Sequence, residues 1–273
     1  MTESILVATD GSEGALGAER CGISLAARLG ARLSGVFVLE DRDLRAPGGA
    51  DSGTSGFPSA ELSAYYKARS EAAARRFGER ARSESLEAAC ETSTGSADDR
   101  IVERGQNADL IVLGRDGKSS GGSGVLLGGT VERVVRKSSR SCVVVPSGAV
   151  LGGPIVLGFD GSPGSRSAAS LAVELANGLG ESVHVFVDSK DKGRAVARFE
   201  EVRQLVGGLA VPVRETSSTL GRPDVKLVDT AREARAGLIV IGAFGRNRIS
   251  DYFIGSNAAA VVRTSPIGVV LAR

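Results

Sequence analysis

The sequence predicts an α/β protein made of two tandem domains, each a five-stranded parallel sheet of strand order 3-2-1-4-5 with helices on both faces. Three observations predict it. A block at the start of the chain returns 150 residues later, Ile5-Leu6-Val7-Ala8-Thr9-Asp10-Gly11-Ser12 matching Ile155-Val156-Leu157-Gly158-Phe159-Asp160-Gly161-Ser162. Short apolar runs alternate with stretches of helical periodicity in both halves, which indicates parallel strands joined by helical crossovers. A length of 273 residues suits two domains of ordinary size.

The elements follow in order. Ile5 to Ala8 is an apolar run of strand length. The helix after it repeats too: Ala18, Cys21, Gly22, Leu25 and Leu29 correspond to Ala168, Leu171, Ala172, Leu175 and Leu179, all on one helical face. Gly30 and Gly180 stand where a C-cap belongs. A second strand matches Val36-Phe37-Val38 to Val185-Phe186-Val187. The first half then runs through a Gly/Pro/Ser-rich loop from Ala46 to Pro58, expected to be mobile, into a long helix with Leu62, Tyr66, Ala73, Phe77 and Ala81 on one side. Its Lys67, Arg69, Arg75, Arg76, Arg80 and Arg82 alternate with glutamates and read as a solvated face. The second half has only the shorter stretch Gly193 to Val206. A further strand matches Asp109–Gly114 to Gly237–Gly242, and each half closes on an apolar strand, Cys142–Val145 and Ile267–Leu271. The domains are expected at 1–148 and 153–273, with a join too short for a free linker, so the halves should pack together.

Composition excludes several function classes. A net charge of +2, with no basic run, does not point to nucleic acid. No run approaches the length of a membrane span and no leader precedes the first strand, so a cytoplasmic protein is expected. Cys21, Cys90 and Cys142 are scattered, odd in number and without a C-x-x-C, and read as buried thiols in a reducing compartment.

The stretch that carries chemistry is Gly242 to Asn257, G-A-F-G-R-N-R-I-S-D-Y-F-I-G-S-N. It joins the end of the apolar run Leu238–Ile241 to the helix former Ala258–Val262. Glycines there let a backbone approach an anion, and the N–H groups of the helix start point at it. A tight turn near a glycine C-cap would have the same composition. The Walker loop is excluded because no Gly-Lys-Ser/Thr follows. In a sheet of the predicted order the crevice lies between the first and fourth strands, which brings Asp160 and Gly242 together. Asp160-Gly161-Ser162 has a second reading, with Ser162 capping the next helix and Asp160 holding loop amides.

The spacing of Gly242, Gly245 and Gly255-Ser256, G-x2-G-x9-G-[S/T], resembles the nucleotide-binding signature of the universal stress protein family. The pattern covers the chain twice, as a tandem form. The resemblance implies Rossmann-like domains of the adenine nucleotide alpha hydrolase-like kind. It also implies an adenine nucleotide, ATP with Mg²⁺ as an optional companion. Asp160 would contact the adenosine part, Phe186 would line the adenine pocket, and Gly242 would face the ribose and α-phosphate. Gly245, Gly255, Ser256 and Asn257 would hold the β- and γ-phosphates, with Arg246 and Arg248 more apt to face solvent. A second site in the first half would use Asp10, Phe37, Gly114, Gly117, Gly128, Gly129 and Thr130. There the loop departs from the pattern. Taking Thr130 as the hydroxyl position makes it eleven long, and aligning on Glu132-Arg133-Val134 puts Gly129 at that position. Asp116 adds a carboxylate that would repel phosphate, against which Lys118 could compensate. The family commonly pairs last strands across a dimer axis; in a tandem chain the pairing could be internal, with a homodimer still compatible.

No catalytic residue or metal ligand is expected. His184, the one histidine, falls in a strand and reads as a packed residue, and no Cys/His cluster has metal-ligand spacing. A triphosphate held by neutral amides suits binding with at most weak ATPase activity. The role that the resemblance implies is a cytoplasmic ATP-binding regulatory or stress-response module. The alternatives are a scaffold with degenerate pockets and a slow ATP hydrolase.

Overall fold

The computed structural model describes residues 1–40, 60–116, 129–189, 191–207, 213–219, 221–244 and 254–273. The 46–58 loop and Gly117, Lys118, Gly128, Gly245, Arg246 and Arg248 lie outside these residues.

The first half runs β1 (Ser4–Thr9), α1 (Glu13–Leu29), β2 (Arg32–Leu39), α2 (Ala60–Ser83), β3 (Ala88–Thr94), α3 (Ala97–Gly105), β4 (Leu110–Gly114), α4 (Gly129–Lys137) and β5 (Ser141–Val145). The second runs β6 (Ile155–Gly158), α5 (Pro163–Leu179), β7 (Val183–Asp188), α6 (Lys192–Leu205), β8 (Val213–Ser218), α7 (Pro223–Glu233), β9 (Leu238–Gly242), α8 (Ser256–Thr264) and β10 (Gly268–Ala272). Each half has the expected 3-2-1-4-5 order, and the two fuse into one ten-stranded sheet, β3-β2-β1-β4-β5-β10-β9-β6-β7-β8. All pairings are parallel except the central seam, where Val144 faces Val269, Val143 faces Val270 and Cys142 faces Leu271. These strands are buried along almost their whole length, so each would be a sticky edge without the other. The remaining edges, β3 and β8, carry alternating exposed polar residues such as Glu91 and Glu215, which discourages further strand addition. That polarity is why neither strand stood out in the sequence.

Strand alternation sends side chains to two layers. One face packs Ile5, Leu25, Phe77, Leu157, Leu175 and Phe199 under α1, α2, α5 and α6. The other packs Ile101, Val134, Val156, Leu227, Ile239 and Val261 under α3, α4, α7 and α8. Local signals agree with this packing. Ser12 and Ser162 cap α1 and α5 by accepting from Ala15 and Ser165, each worth about 1 kcal/mol. Gly30 and Gly180 end those helices at φ of 66° and 67°, in the left-handed region that glycine enters without a Cβ penalty.

The basic face of α2 is not wholly solvated. Arg69 donates to the Asp10 carbonyl at 3.0 Å, and Arg80 pairs with Glu19, a carboxylate whose side chain is only 2% exposed and which accepts from Thr9 Oγ1 at 2.5 Å. At the matching places in the second half stand Phe159 and Ala169. A buried carboxylate needs a cation and a hydroxyl; an apolar pair needs neither. The long helix of the first half is therefore held to the β1 end by polar contacts at places where the second half has an apolar pair.

Candidate functional site

A cavity of about 680 Å³ opens at the C-terminal ends of β6, β7 and β9, on the α7/α8 face. It lies where the strand order reverses, with β6 paired to β7 on one side and β9 on the other. Asp160, Phe186, Gly242, Gly255, Ser256 and Asn257 all line it. Of the seven residues singled out in this half, only Gly245 is not among the described residues.

Each has a local reason for its position. Asp160 Oδ1 accepts from the Ser162 N–H at 2.9 Å, and Ser162 Oγ accepts from the Ser165 N–H at 3.2 Å. The capping reading of Asp-Gly-Ser is thus realised, and it fixes Asp160 at the cavity wall. Phe186 is 3% exposed and points to the α7/α8 face. Gly242 is where β9 meets the first turn of α5: a Cβ there would lie 2.6 Å from the Gly164 carbonyl carbon. Close backbone packing alone demands that glycine, whatever the cavity holds. The Gly255 N–H donates to the Ala243 carbonyl at 3.1 Å, closing the neck of the loop. Its amide is therefore spent within the chain, contrary to the phosphate role expected for it. Exposed Ser256 and Asn257 open α8, whose first N–H groups have no intrahelical acceptor and no side-chain cap from Gly255.

Two carboxylates at the cavity were missed. Asp188 follows Phe186 by two residues on β7 and so shares its face; its Oδ1 is buried without a hydrogen-bond partner among the described residues. Asp224 is the second residue of α7, beside Arg222 Nε at 3.6 Å. The i+2 spacing from Phe186 was the available signal for Asp188. His184 does not line the cavity; its Nε2 sits 2.6 Å from Thr216 Oγ1.

The first half differs residue by residue. β1 pairs Ala8 with Val36, whereas β6 pairs Gly158 with Phe186, so Val36 occupies the Phe186 position. Phe37 is shifted by one residue and faces the other layer, where a Cβ on Gly11 would lie 3.6 Å from its ring and 3.0 Å from Ala73 Cβ of α2. It cannot line a crevice on the α3/α4 face. α4 begins at Gly129 as α8 begins at Ser256, and the buried sets Val131, Val134, Val135 and Ala258, Val261, Val262 match in the same register. Gly129, not Thr130, therefore stands opposite Ser256. Gly114 packs on the Gly14 carbonyl, which a Cβ would approach to 2.9 Å, and Asp10 accepts from the Ser12 N–H at 2.9 Å. Gly117 and Gly128 lie outside the described residues. Asp116 does not point at a ligand: Arg115 Nε lies 3.0 Å from it and the Ser147 N–H donates to it at 3.1 Å. Those hydrogen bonds outweigh its partial burial and hold its carboxyl below the usual range.

The sequence profile of the universal stress protein family matches residues 1–146 and 153–273. The chain belongs to that family. A universal stress protein of Mycobacterium tuberculosis is 30% identical over 194 residues, 63% of this chain and 64% of that protein. The alignment thus spans just under two thirds of that relative's length. A universal stress protein of Thermus aquaticus is 31% identical over 133 residues, covering 44% of this chain and 97% of its own. Among solved structures, a universal stress protein of Archaeoglobus fulgidus superimposes with a TM-score of 0.76 at 20% identity, over 98% of this chain and 97% of that one. A universal stress protein fold carried twice in one chain accounts for the seam, since the two last strands meet within the molecule. No helix among the described residues is long and apolar enough to cross a membrane, and no group of three acidic, histidine or cysteine side chains there is arranged to hold a metal ion.

Proposed function

We propose that the second half binds an adenine nucleotide, ATP in the first instance, and that the protein works as a cytoplasmic regulatory module of a stress response. The observation that carries the reading is convergence: six residues chosen from a loop, a strand and a strand end line one cavity of about 680 Å³ at the switch point of the sheet. That volume is ample for a nucleoside, and the uncapped start of α8 at the rim suits the phosphates. Phe186 supplies an apolar wall for a base, while Asp160, Asp188 and Asp224 supply acceptors for its amine and for ribose hydroxyls. Three carboxylates around a cavity favour hydrogen-bond donors there, so the triphosphate belongs at the α8 end, away from them. Mg²⁺ would arrive with the phosphates, since the described residues offer no ready cluster for it. Among the described residues the lining has no histidine or lysine to activate water, which favours binding over rapid turnover.

Binding of ATP to the purified full chain, measured by calorimetry, tests the proposal. Dissociation in the micromolar to sub-millimolar range, weakened severalfold by Ser256→Ala and Asp160→Ala, is expected. Indifference to ATP at millimolar concentration would overturn it in favour of a scaffold. Multiple-turnover phosphate release faster than a few per hour would instead support a hydrolase. In the first half Asp98, the counterpart of Asp224, is neutralised by Arg133 and Lys137, which favours an interaction role for that half over a second nucleotide site.

A further inference from the structure

We infer that Arg115, a residue of the first half, is a positioning residue for the phosphate end of the second half's site. The inference rests on the reading that α8 holds the phosphates. Arg115 leaves the end of β4 with its own N–H donating to the Val145 carbonyl at 2.8 Å. Its side chain crosses the seam, and Nη1 donates to the carbonyls of Val262, Arg263 and Ser265 at 3.2, 3.1 and 2.7 Å. These are carbonyls at the C-terminal end of α8, which an α-helix cannot satisfy internally. No glycine cap serves them either, because the chain leaves α8 through Ser265 in an extended conformation. Asp116 fixes the guanidinium from behind, Oδ1 lying 3.0 Å from Nε while Oδ2 accepts from the Ser147 N–H at 3.1 Å. The carboxylate that looked like a flaw in the first half's loop is thus the anchor of a strut.

The strut acts at a distance through a stiff element. α8 has nine residues, a rod of about 13 Å, so a tilt at its last carbonyls moves Ser256 and Asn257 at the other end. The exchange is reciprocal. Arg273, at the end of β10, donates to the carbonyls of Val135 and Arg136 at the end of α4, both at 2.7 Å. Its guanidinium also lies 4.1 Å above the ring of Phe244, which lines the cavity. Each half therefore seats the last helix of the other with an arginine. The two arms come from different places in the repeat, one after the fourth strand and one after the fifth, so the clasp is not a by-product of duplication.

The experiment uses the full chain with Arg115→Ala, Arg115→Lys and Asp116→Asn, titrated with ATP and separately with adenosine. Arg115→Ala should weaken ATP about tenfold, in line with loss of a charged group making several hydrogen bonds, and leave adenosine within twofold. Arg115→Lys should restore part of the loss and Asp116→Asn should show a smaller effect of the same kind. Equal loss of ATP and adenosine, or a fall in melting temperature with the ATP-to-adenosine ratio unchanged, would overturn the inference. Hydrogen exchange without ligand separates it from the nucleotide reading. Faster exchange at the Ala259 amide, which donates to the Gly255 carbonyl at 2.8 Å, and at the Ala260 amide after it in Arg115→Ala, with α7 unchanged, supports the strut even if the wild-type chain binds no nucleotide. Unchanged exchange there refutes it.

Discussion

Asp98 and Asp224 hold the same place in the two halves and have opposite surroundings. Each is the second residue of its helix, two positions after a residue that follows a positive-φ glycine, Gly95 or Gly221. Asp224 lines the cavity. Asp98 is 2% exposed and pinned between Lys137 Nζ at 2.6 Å, Arg133 Nε at 3.1 Å and Ser96 Oγ at 2.7 Å. One pair of helices is latched where the other leaves a pocket.

The latch sets an acid limit on stability. Burial works against the Asp98 carboxylate, but hydrogen bonds from Lys137, Ser96 and Arg133 win and lower its pKa from 3.8 to about 2. The folded chain therefore binds this proton less readily than the unfolded one, so its contribution is present above pH 3.8 and is lost as pH falls toward 2. Allowing for solvent around the half-exposed cations, it is worth roughly 1–2 kcal/mol. Asp98→Asn should lower the unfolding free energy from urea titration at pH 7 by that amount and by almost nothing near pH 2. An equal loss at both pH values would refute the assignment.

In the proposed reading of the cavity, Asp188 sets the specificity for the base. A buried carboxylate oxygen without a partner is costly, and an exocyclic amine would satisfy it where a keto oxygen would repel it. ATP should bind at least about tenfold tighter than its 6-oxo counterpart inosine triphosphate, and Asp188→Asn should narrow that ratio. Equal affinities in the wild-type chain would remove Asp188 from this role.

The fold was legible because its signals are repeated and apolar. Strand cores such as Leu110–Leu113 and Leu238–Ile241, serine caps and glycine caps all announce themselves locally. What sequence could not resolve was register and partnership. Phe37 was matched to Phe186 by likeness, but one residue of slip in a strand reverses the face, and backbone pairing puts Val36 there instead. Asp116 was read as facing a phosphate because its partners, Arg115 and the Ser147 amide, are made by the tertiary fold. The polar edge strands β3 and β8 lack the apolar run that identifies their neighbours, since only the pairing on one side holds them.

Ala258 is the smallest side chain on the α8 wall of the cavity, and its counterpart on α4 is Val131. Ala258→Val imports the first half's choice. The matching position of α4 holds a buried valine, so the melting temperature should shift by only a few degrees, whereas nucleotide affinity should drop severalfold as the cavity narrows. Unchanged affinity would move the ligand away from this wall.

Gly242→Ala tests the opposite balance, packing against binding. Its Cβ would lie 2.6 Å from the Gly164 carbonyl carbon and 2.9 Å from the carbonyl oxygen, both backbone atoms that cannot swing aside. The β9–α5 contact must spread, at a cost of about 1–3 kcal/mol. Denaturant unfolding of the variant should show this without any ligand present. A neutral substitution would mean that the glycine is there for the cavity alone.

His184 gives a second, milder pH dependence. Burial, helped by the nearby Arg214 and only partly opposed by Glu233, holds its imidazole below the ordinary value of 6.5. The folded chain keeps the ring neutral, with Nε2 beside Thr216 Oγ1, in a range where the unfolded chain takes up a proton. Stability should therefore decline as pH drops below about 6.5 and stop declining, for this group, once the folded pKa is passed. His184→Gln should flatten the stability profile just below about pH 6.5 while leaving the latch transition near pH 2 to 4 in place. If the wild-type profile is already flat as pH falls through 6.5, the ring is not held neutral by its surroundings.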